Sequence, residues 1–198
     1  MEMIKKPYIS IICCVYNGEN LIEDAILSIL RQPYQDIELL IMDDGSTDKT
    51  RKIIQNYTNS TKVRYFYQEN KGPGVARNNL FSKARGEWIM FLDADDFYFE
   101  NSINASFVDE LKRLEKENVD VIKTPKSTCS FEKTNFKTYN LDKVGTFCDT
   151  ITESTKVYFE FFTLIYRKKI ILENGILFKT TIPEFETIFR HECVYYSK

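Results

Sequence analysis

From Ile9 to Lys123 the chain alternates short apolar runs with longer segments whose apolar residues recur at helical spacing, and that rhythm confines it to an α/β architecture with a parallel sheet. Ile9 to Val15 reads as a strand buried on both faces. Asn20 is placed to cap the next helix with Glu23 as its capping partner, and Ile22, Ala25, Ile26, Ile29 and Leu30 give that helix one apolar face. The unit then repeats. Ile37 to Met42 is a second strand, followed by a helix through Ile53, Ile54 and Tyr57 that Asp48 or Thr47 caps. Val63 to Tyr67 is a third strand, and a Gly72-Pro73-Gly74 turn leads into a helix over Val75 to Ala84. Trp88 to Leu92 is a fourth strand, Ser102 to Glu117 a long helix, and Val119 to Lys123 a fifth strand. Pro125 to Thr155 carries no clear period, Tyr158 to Arg167 is aromatic and β-like, and Lys168 to Asn174 reads as a short helix stopped by Gly175. The expected fold is α/β, a mostly parallel central sheet flanked by helices, in a chain whose 198 residues match a single domain.

Charge and cysteine content narrow the partners. A formal net charge of −2 offers no basic field for a polyanion, so nucleic acid is disfavoured. Five cysteines, Cys13, Cys14, Cys129, Cys148 and Cys193, show no C-x-x-C spacing, and His191 is the only histidine, a pattern of a reducing compartment without structural zinc. Lys5 and Lys6 precede the apolar run Tyr8 to Val15, but the run ends in Tyr16-Asn17-Gly18-Glu19 with no small-residue cleavage site, which favours a buried strand over a signal peptide. No stretch approaches the roughly 20 apolar residues of a membrane span. The expectation is a soluble, cytoplasmic protein.

In open α/β sheets ligands bind beyond the carboxyl ends of the strands. Two of those ends carry crowded carboxylates: Asp43-Asp44-Gly45-Ser46-Thr47-Asp48 after the second strand and Asp93-Ala94-Asp95-Asp96 after the fourth. Crowded carboxylates repel unless a cation, proton or donor compensates them. Side chains two apart on an extended segment share a face, so Asp93 and Asp95 are expected to converge on one hard cation, Mg2+ or Mn2+, which would make an acidic site compatible with a diphosphate. Turn residues and helix caps are the competing reading, strongest for Asp48. A phosphate-cradling P-loop, a dinucleotide fingerprint and a calcium hand are all absent, and a lone His191 in an apolar-aromatic segment gives no support to hydrolase chemistry.

Four segments in order carry a family resemblance: Ile9-Ser10-Ile11-Ile12-Cys13-Cys14-Val15-Tyr16-Asn17, Ile41-Met42-Asp43-Asp44-Gly45-Ser46-Thr47-Asp48, Asn70-Lys71-Gly72-Pro73-Gly74-Val75-Ala76-Arg77-Asn78, and Ala84-Arg85-Gly86-Glu87-Trp88-Ile89-Met90-Phe91-Leu92-Asp93-Ala94-Asp95-Asp96. Together they resemble the signatures of family 2 glycosyltransferases. The resemblance implies a GT-A fold and inverting transfer of a sugar from a nucleoside diphosphate, with a UDP-sugar favoured, to a saccharide or lipid-linked acceptor hydroxyl in polysaccharide or glycoconjugate assembly. It implies Tyr16 near the base, Asp44 on the base edge, Asp95 on the metal, Asp93 in the ribose or metal shell, and Arg77 on the nucleotide. Residues 1–124 would form the nucleotide-binding part and 125–198 the acceptor-side part. A tyrosine ring can stack on a base, and a carboxylate can accept from a uracil imide N–H.

Two departures stand out. Cys14 occupies a position that is usually proline in the family. The family's later Gly-Glu-Asp is replaced by Glu184-Phe185-Glu186-Thr187-Ile188-Phe189, which makes Glu186 the aligned catalytic base and Glu184 the fallback. The chain stops at Lys198, short of the further acceptor-binding or membrane-associating segments of many members, which marks a fragment or a small member and leaves room for peripheral membrane association. The competing functions are a nucleotide-sugar binding module without turnover and a sugar-nucleotide nucleotidyltransferase; the glycine- and arginine-rich first loop of the latter is replaced by Tyr16-Asn17-Gly18.

Overall fold

The computed structural model describes residues 6–123, 164–180 and 185–197. In chain order these hold β1 (Ile9–Val15), α1 (Ile22–Leu30), β2 (Ile37–Asp44), α2 (Thr50–Gln55), β3 (Val63–Gln68), α3 (Pro73–Phe81), β4 (Trp88–Asp93), α4 (Ala105–Lys116), β5 (Val121–Lys123), β6 (Leu164–Arg167), α5 (Lys168–Glu173) and α6 (Phe185–Tyr196). The six strands form one sheet in the order β3-β2-β1-β4-β6-β5. β1 pairs in parallel with both β2 and β4, and β2 with β3, whereas β6 runs antiparallel to β4 and β5. The expected mostly parallel sheet is present, with β6 as its antiparallel member.

Strand alternation sorts the core into two layers. Ile9, Ile11, Cys13 and Val15 of β1 join Ile37, Leu39 and Ile41 of β2 and Trp88, Met90 and Leu92 of β4 beneath α1 and α4. Ile12, Leu40, Met42, Ile89 and Phe91 face the other way, against Ala76, Leu80 and Phe81 of α3 and Phe189 and Cys193 of α6. At the amino end of this second face, buried Ser10 donates to Glu38 at 2.6 Å, and Glu38 also accepts from the Arg85 amide at 2.6 Å and Arg64 at 2.7 Å. A Cβ on Gly86 would stand 2.5 Å from the Ser10 nitrogen, so only glycine lets the α3–β4 connection close onto β1.

Several local expectations shift. Asn20 does not cap α1: Leu21 is the N-cap, no side chain caps the helix, and the Leu21 and Ile22 amides donate instead to the Gly18 carbonyl. The Asp48 carboxylate takes the Thr50 amide at 2.9 Å at the start of α2, but the N-cap itself is Lys49. α4 starts at Ala105 because the Asn104 side chain accepts from the Phe107 amide, and β5 is shorter than expected at its amino end. Of the β-like stretch from Tyr158, only Leu164–Arg167 lies within the described residues, and the unpatterned stretch from Pro125 lies outside them. Among the described residues no helix is long and apolar enough to cross a membrane.

Candidate functional site

β1 sits between β2 and β4, and its register sets Val15 opposite Asp43 and Cys14 opposite Asp93. The carboxyl edge of the three central strands therefore gathers Tyr16, the Asp43-Asp44 pair and Asp93 along one rim. Period-two alternation sends the two adjacent aspartates to opposite faces. Asp43, fully buried, accepts from the Ser46 amide at 2.8 Å and the Tyr65 hydroxyl at 3.0 Å, with Arg51 3.6 Å away. Burial, reinforced by the Asp43 charge, pushes the Tyr65 hydroxyl up to about 12, so it stays a donor. Asp44 points to the α3 face. Its Oδ1 accepts from Gln68 Nε2 at 2.7 Å and the Lys71 amide at 2.9 Å, and its Oδ2 from the Gly72 amide at 2.9 Å.

Arg77 is the hub of the site. Its guanidinium is 7% exposed and donates through Nη2 to Asp93 Oδ1 at 2.9 Å and through Nη1 to Glu186 Oε1 at 2.6 Å. A planar fork with separate N–H pairs suits this bridging, which a lysine ammonium would not reproduce. Asp93 and Glu186 are 32% and 42% exposed, so both carboxylates remain open to a ligand. Helical spacing explains how Glu186 arrives there. Phe189, one turn on, is fully buried and stacks on Phe178 with ring centroids 4.1 Å apart, and Cys193 continues the same buried stripe. The apolar face of α6 thus anchors the helix while its first turn brings Glu186 to Arg77. Arg77 also lies 5.4 Å over the Phe178 ring.

Tyr16 is 52% exposed at the end of β1, as a stacking surface requires. The convergence of Asp93 and Asp95 does not follow from strand alternation. β4 ends at Asp93, and the Asp96 amide bonds back to the Asp93 carbonyl at 3.1 Å, so the chain turns and Asp95 stands exposed beyond the strand while Asp93 faces Arg77. Among the described residues no three His, Cys, Asp or Glu side chains gather to hold a metal alone. The carboxylates of Asp93 and Asp95 are hard oxygen donors, the type that fits Mg2+ or Mn2+, ions usually held by one or two carboxylates plus substrate phosphates and water. Glu184 and the side chain of His191 lie outside the described residues.

One part of the site was not anticipated. The β1–α1 and β2–α2 loops are locked together: Asn17 Oδ1 accepts from the Thr47 amide at 2.8 Å, Ser46 from the Asn17 amide at 3.0 Å, Thr50 from the Gly18 amide at 2.8 Å and Asp48 from the Glu19 amide at 3.0 Å, while Glu19 accepts from the Lys49 amide at 2.9 Å. Asn17 adopts φ 52°, a conformation asparagine tolerates better than most residues, and an Asn-Gly pair after a strand is the signal that marks it. Gly45, at φ 82°, lets this loop approach the Asn70 backbone, where a Cβ would stand 2.7 Å from its nitrogen. Tyr16 therefore leaves a braced loop.

Known proteins share the sequence pattern and the fold of this chain. An "Uncharacterized glycosyltransferase" of Haemophilus influenzae is 52% identical over 93 residues, covering 46% of this chain, and the match takes in 37% of that relative's length. The S. aureus TarS 1-349 structure in complex with UDP-GlcNAc superposes with a TM-score of 0.72 at 24% identity, covering 96% of this chain and 54% of its own. The mannosyltransferase PcManGT from Pyrobaculum calidifontis, in complex with GDP-Man and Mn2+, gives a TM-score of 0.67 at 16% identity over 98% of this chain and 54% of its own. The chain thus spans little more than half of these structures, and their likeness establishes the fold. The sequence model of Glycosyl transferase family 2 matches residues 10–175, and the chain belongs to that family.

Proposed function

We propose that this chain is the donor-binding and catalytic part of an inverting, metal-dependent glycosyltransferase that moves a sugar from a UDP-sugar to an acceptor hydroxyl in polysaccharide or glycoconjugate assembly. The observation that carries the reading is the Arg77 bridge, which brings Asp93 and Glu186 together at the carboxyl edge of the sheet. In this reading Tyr16 stacks near the base, Asp44 accepts from a base N–H, and Asp93 serves the ribose or the metal shell. Arg77 offers the diphosphate a cation at a rim otherwise lined with carboxylates. Residues 1–124 form the nucleotide-binding part and 125–198 the acceptor side. A Mg2+ or Mn2+ ion bound at Asp95 would supply Lewis-acid stabilisation of the departing diphosphate.

A single displacement with inversion needs a base on the side of the sugar away from the leaving group. Glu186 is the candidate. It enters from α6 rather than from the strand ends, and its partial exposure lets an acceptor hydroxyl reach it and give up its proton. Glu186→Gln keeps the shape but accepts no proton, so transfer from a UDP-sugar should fall by roughly 10² to 10⁴ while UDP binding persists. Asp95→Asn should remove the manganese dependence of UDP binding in calorimetry. An active Glu186→Gln protein would move the base elsewhere, and wild-type protein that binds UDP-sugars but transfers from none would establish a binding module instead.

A further inference from the structure

Behind Asp44 lies a two-amide relay that reaches α3. Asp44 ends β2 and is paired in register with Gln68, the last residue of β3. Gln68 Nε2 donates to Asp44 Oδ1 at 2.7 Å, and Gln68 Oε1 accepts from Asn79 Nδ2 at 2.7 Å. The chemistry fixes the polarity of this chain of bonds. A carboxylate only accepts, so the glutamine must turn its NH2 toward Asp44; its carbonyl then faces α3, where only a donor can satisfy it. Asn79 supplies that donor from the helix that also carries Arg77. We infer that Gln68 and Asn79 are positioning residues that orient Asp44 as a selector for a base with a ring N–H.

The bonding of Asp44 shows what is selected. Its two oxygens offer about four acceptor positions. Gln68 and the Lys71 amide occupy those of Oδ1, and the Gly72 amide takes one of Oδ2, which leaves a single acceptor. Uracil presents a ring N–H to such an acceptor, whereas cytosine presents a ring nitrogen lone pair, which repels it. With the carboxylate held at three points it cannot rotate to escape that clash, so the relay converts a contact into discrimination. The inference rests on the reading of Asp44 as the base-binding carboxylate.

Asn79 is exposed, so its variants keep the core intact. The probes are UDP, CDP and inorganic diphosphate, each titrated calorimetrically into the full chain with manganese. Wild type should bind UDP about 5- to 100-fold more tightly than CDP, the span expected when one buried polar group is left unpaired. Asn79→Asp sets a second carboxylate against the glutamine, so two acceptors compete for its one NH2 and Asp44 no longer holds it undivided; the UDP-over-CDP ratio should drop at least fivefold, with diphosphate affinity unchanged. Gln68→Met should lower the ratio similarly, and Asn79→Ala by less, since Asp44 alone still favours the correct amide face. If both Asn79→Asp and Gln68→Met keep the wild-type ratio while Asp44→Asn loses it, the relay is overturned and Asp44 acts unaided, whatever the variants do to the melting temperature. If wild type shows no preference, or Asp44→Asn keeps it, the base-reading assignment of Asp44 fails and the relay falls with it.

Discussion

Replacing Arg77 by methionine removes the guanidinium from between Asp93 and Glu186 while keeping much of its apolar stem, and the structure allows the cost to be estimated. Two charge-assisted hydrogen bonds are lost, each worth about 1.5–3 kcal/mol when dry. Both carboxylates are partly exposed, so water recovers much of that, and about 0.5–1 kcal/mol per bond is the better figure. Loss of the cation over Phe178 adds about 0.5–1 kcal/mol, and mutual repulsion of the two abandoned carboxylates adds a little more. The total is about 2–3 kcal/mol. For a chain of this size each kcal/mol shifts Tm by about 2–4 °C, so Arg77→Met should melt about 4–12 °C below wild type. Because α6 is the element tethered through Glu186, its amides should exchange faster while those of β1 and β2 do not. Arg77→Lys, able to serve one carboxylate at a time, should fall between the two. The sign of the repulsion gives a sharper check: adding Glu186→Gln to Arg77→Met should restore part of the loss. A double variant less stable than Arg77→Met, or a single variant that melts with wild type and leaves α6 exchange unchanged, would refute the bridge as the tether of α6.

Gly86→Ala forces a methyl onto the Ser10 backbone and should cost about 1–3 kcal/mol in urea unfolding, with UDP affinity intact because the contact lies at the amino end of the sheet. Burial pushes the Cys14 thiol up to about 12 and raises Cys13 and Cys193 as well, so none of the three should be alkylated by iodoacetamide at about pH 8 until urea is added, as peptide mapping would read. Burial acts to raise Asp48, but hydrogen bonds from Thr50 and the Glu19 amide outweigh it and hold the carboxyl below its ordinary 3.8. Its contribution to stability is therefore complete above that value and fades as pH falls through the lower folded-state value; the gap between wild type and Asp48→Asn in urea unfolding should be present at neutral pH and shrink at about pH 3.

The strands were legible because both faces of the sheet are covered, and runs such as Ile37 to Met42 stay apolar whatever face each residue takes. The helix starts were less legible. Asn20 has the chemistry of a cap, but the tight turn on the Gly18 carbonyl fixes the entry to α1 through backbone bonds that leave no mark on composition. Within the site, motif order pointed to Tyr16, Asp44, Arg77, Asp93 and Glu186 individually. That the Arg77 guanidinium reaches Glu186 across 109 residues of sequence while also holding Asp93 is a property of the folded chain. The same holds for Gln68 and Asn79, ordinary polar residues until strand register and helix placement align their amides.

β6 returns antiparallel to β5, and its consequence reaches beyond topology. Lys123 and Leu164 are partners on one rung, and since β5 runs with β4, that rung lies toward the same carboxyl edge as Asp93. The chain therefore leaves the sheet and re-enters it on one rung, and strand pairing fixes both positions. Because β6 also pairs with β4 at Trp88 and Ile89, that rung is tied to the register of the central strands, and a one-residue slip of β6 would turn the buried Leu164 and Tyr166 toward the opposite face of the sheet.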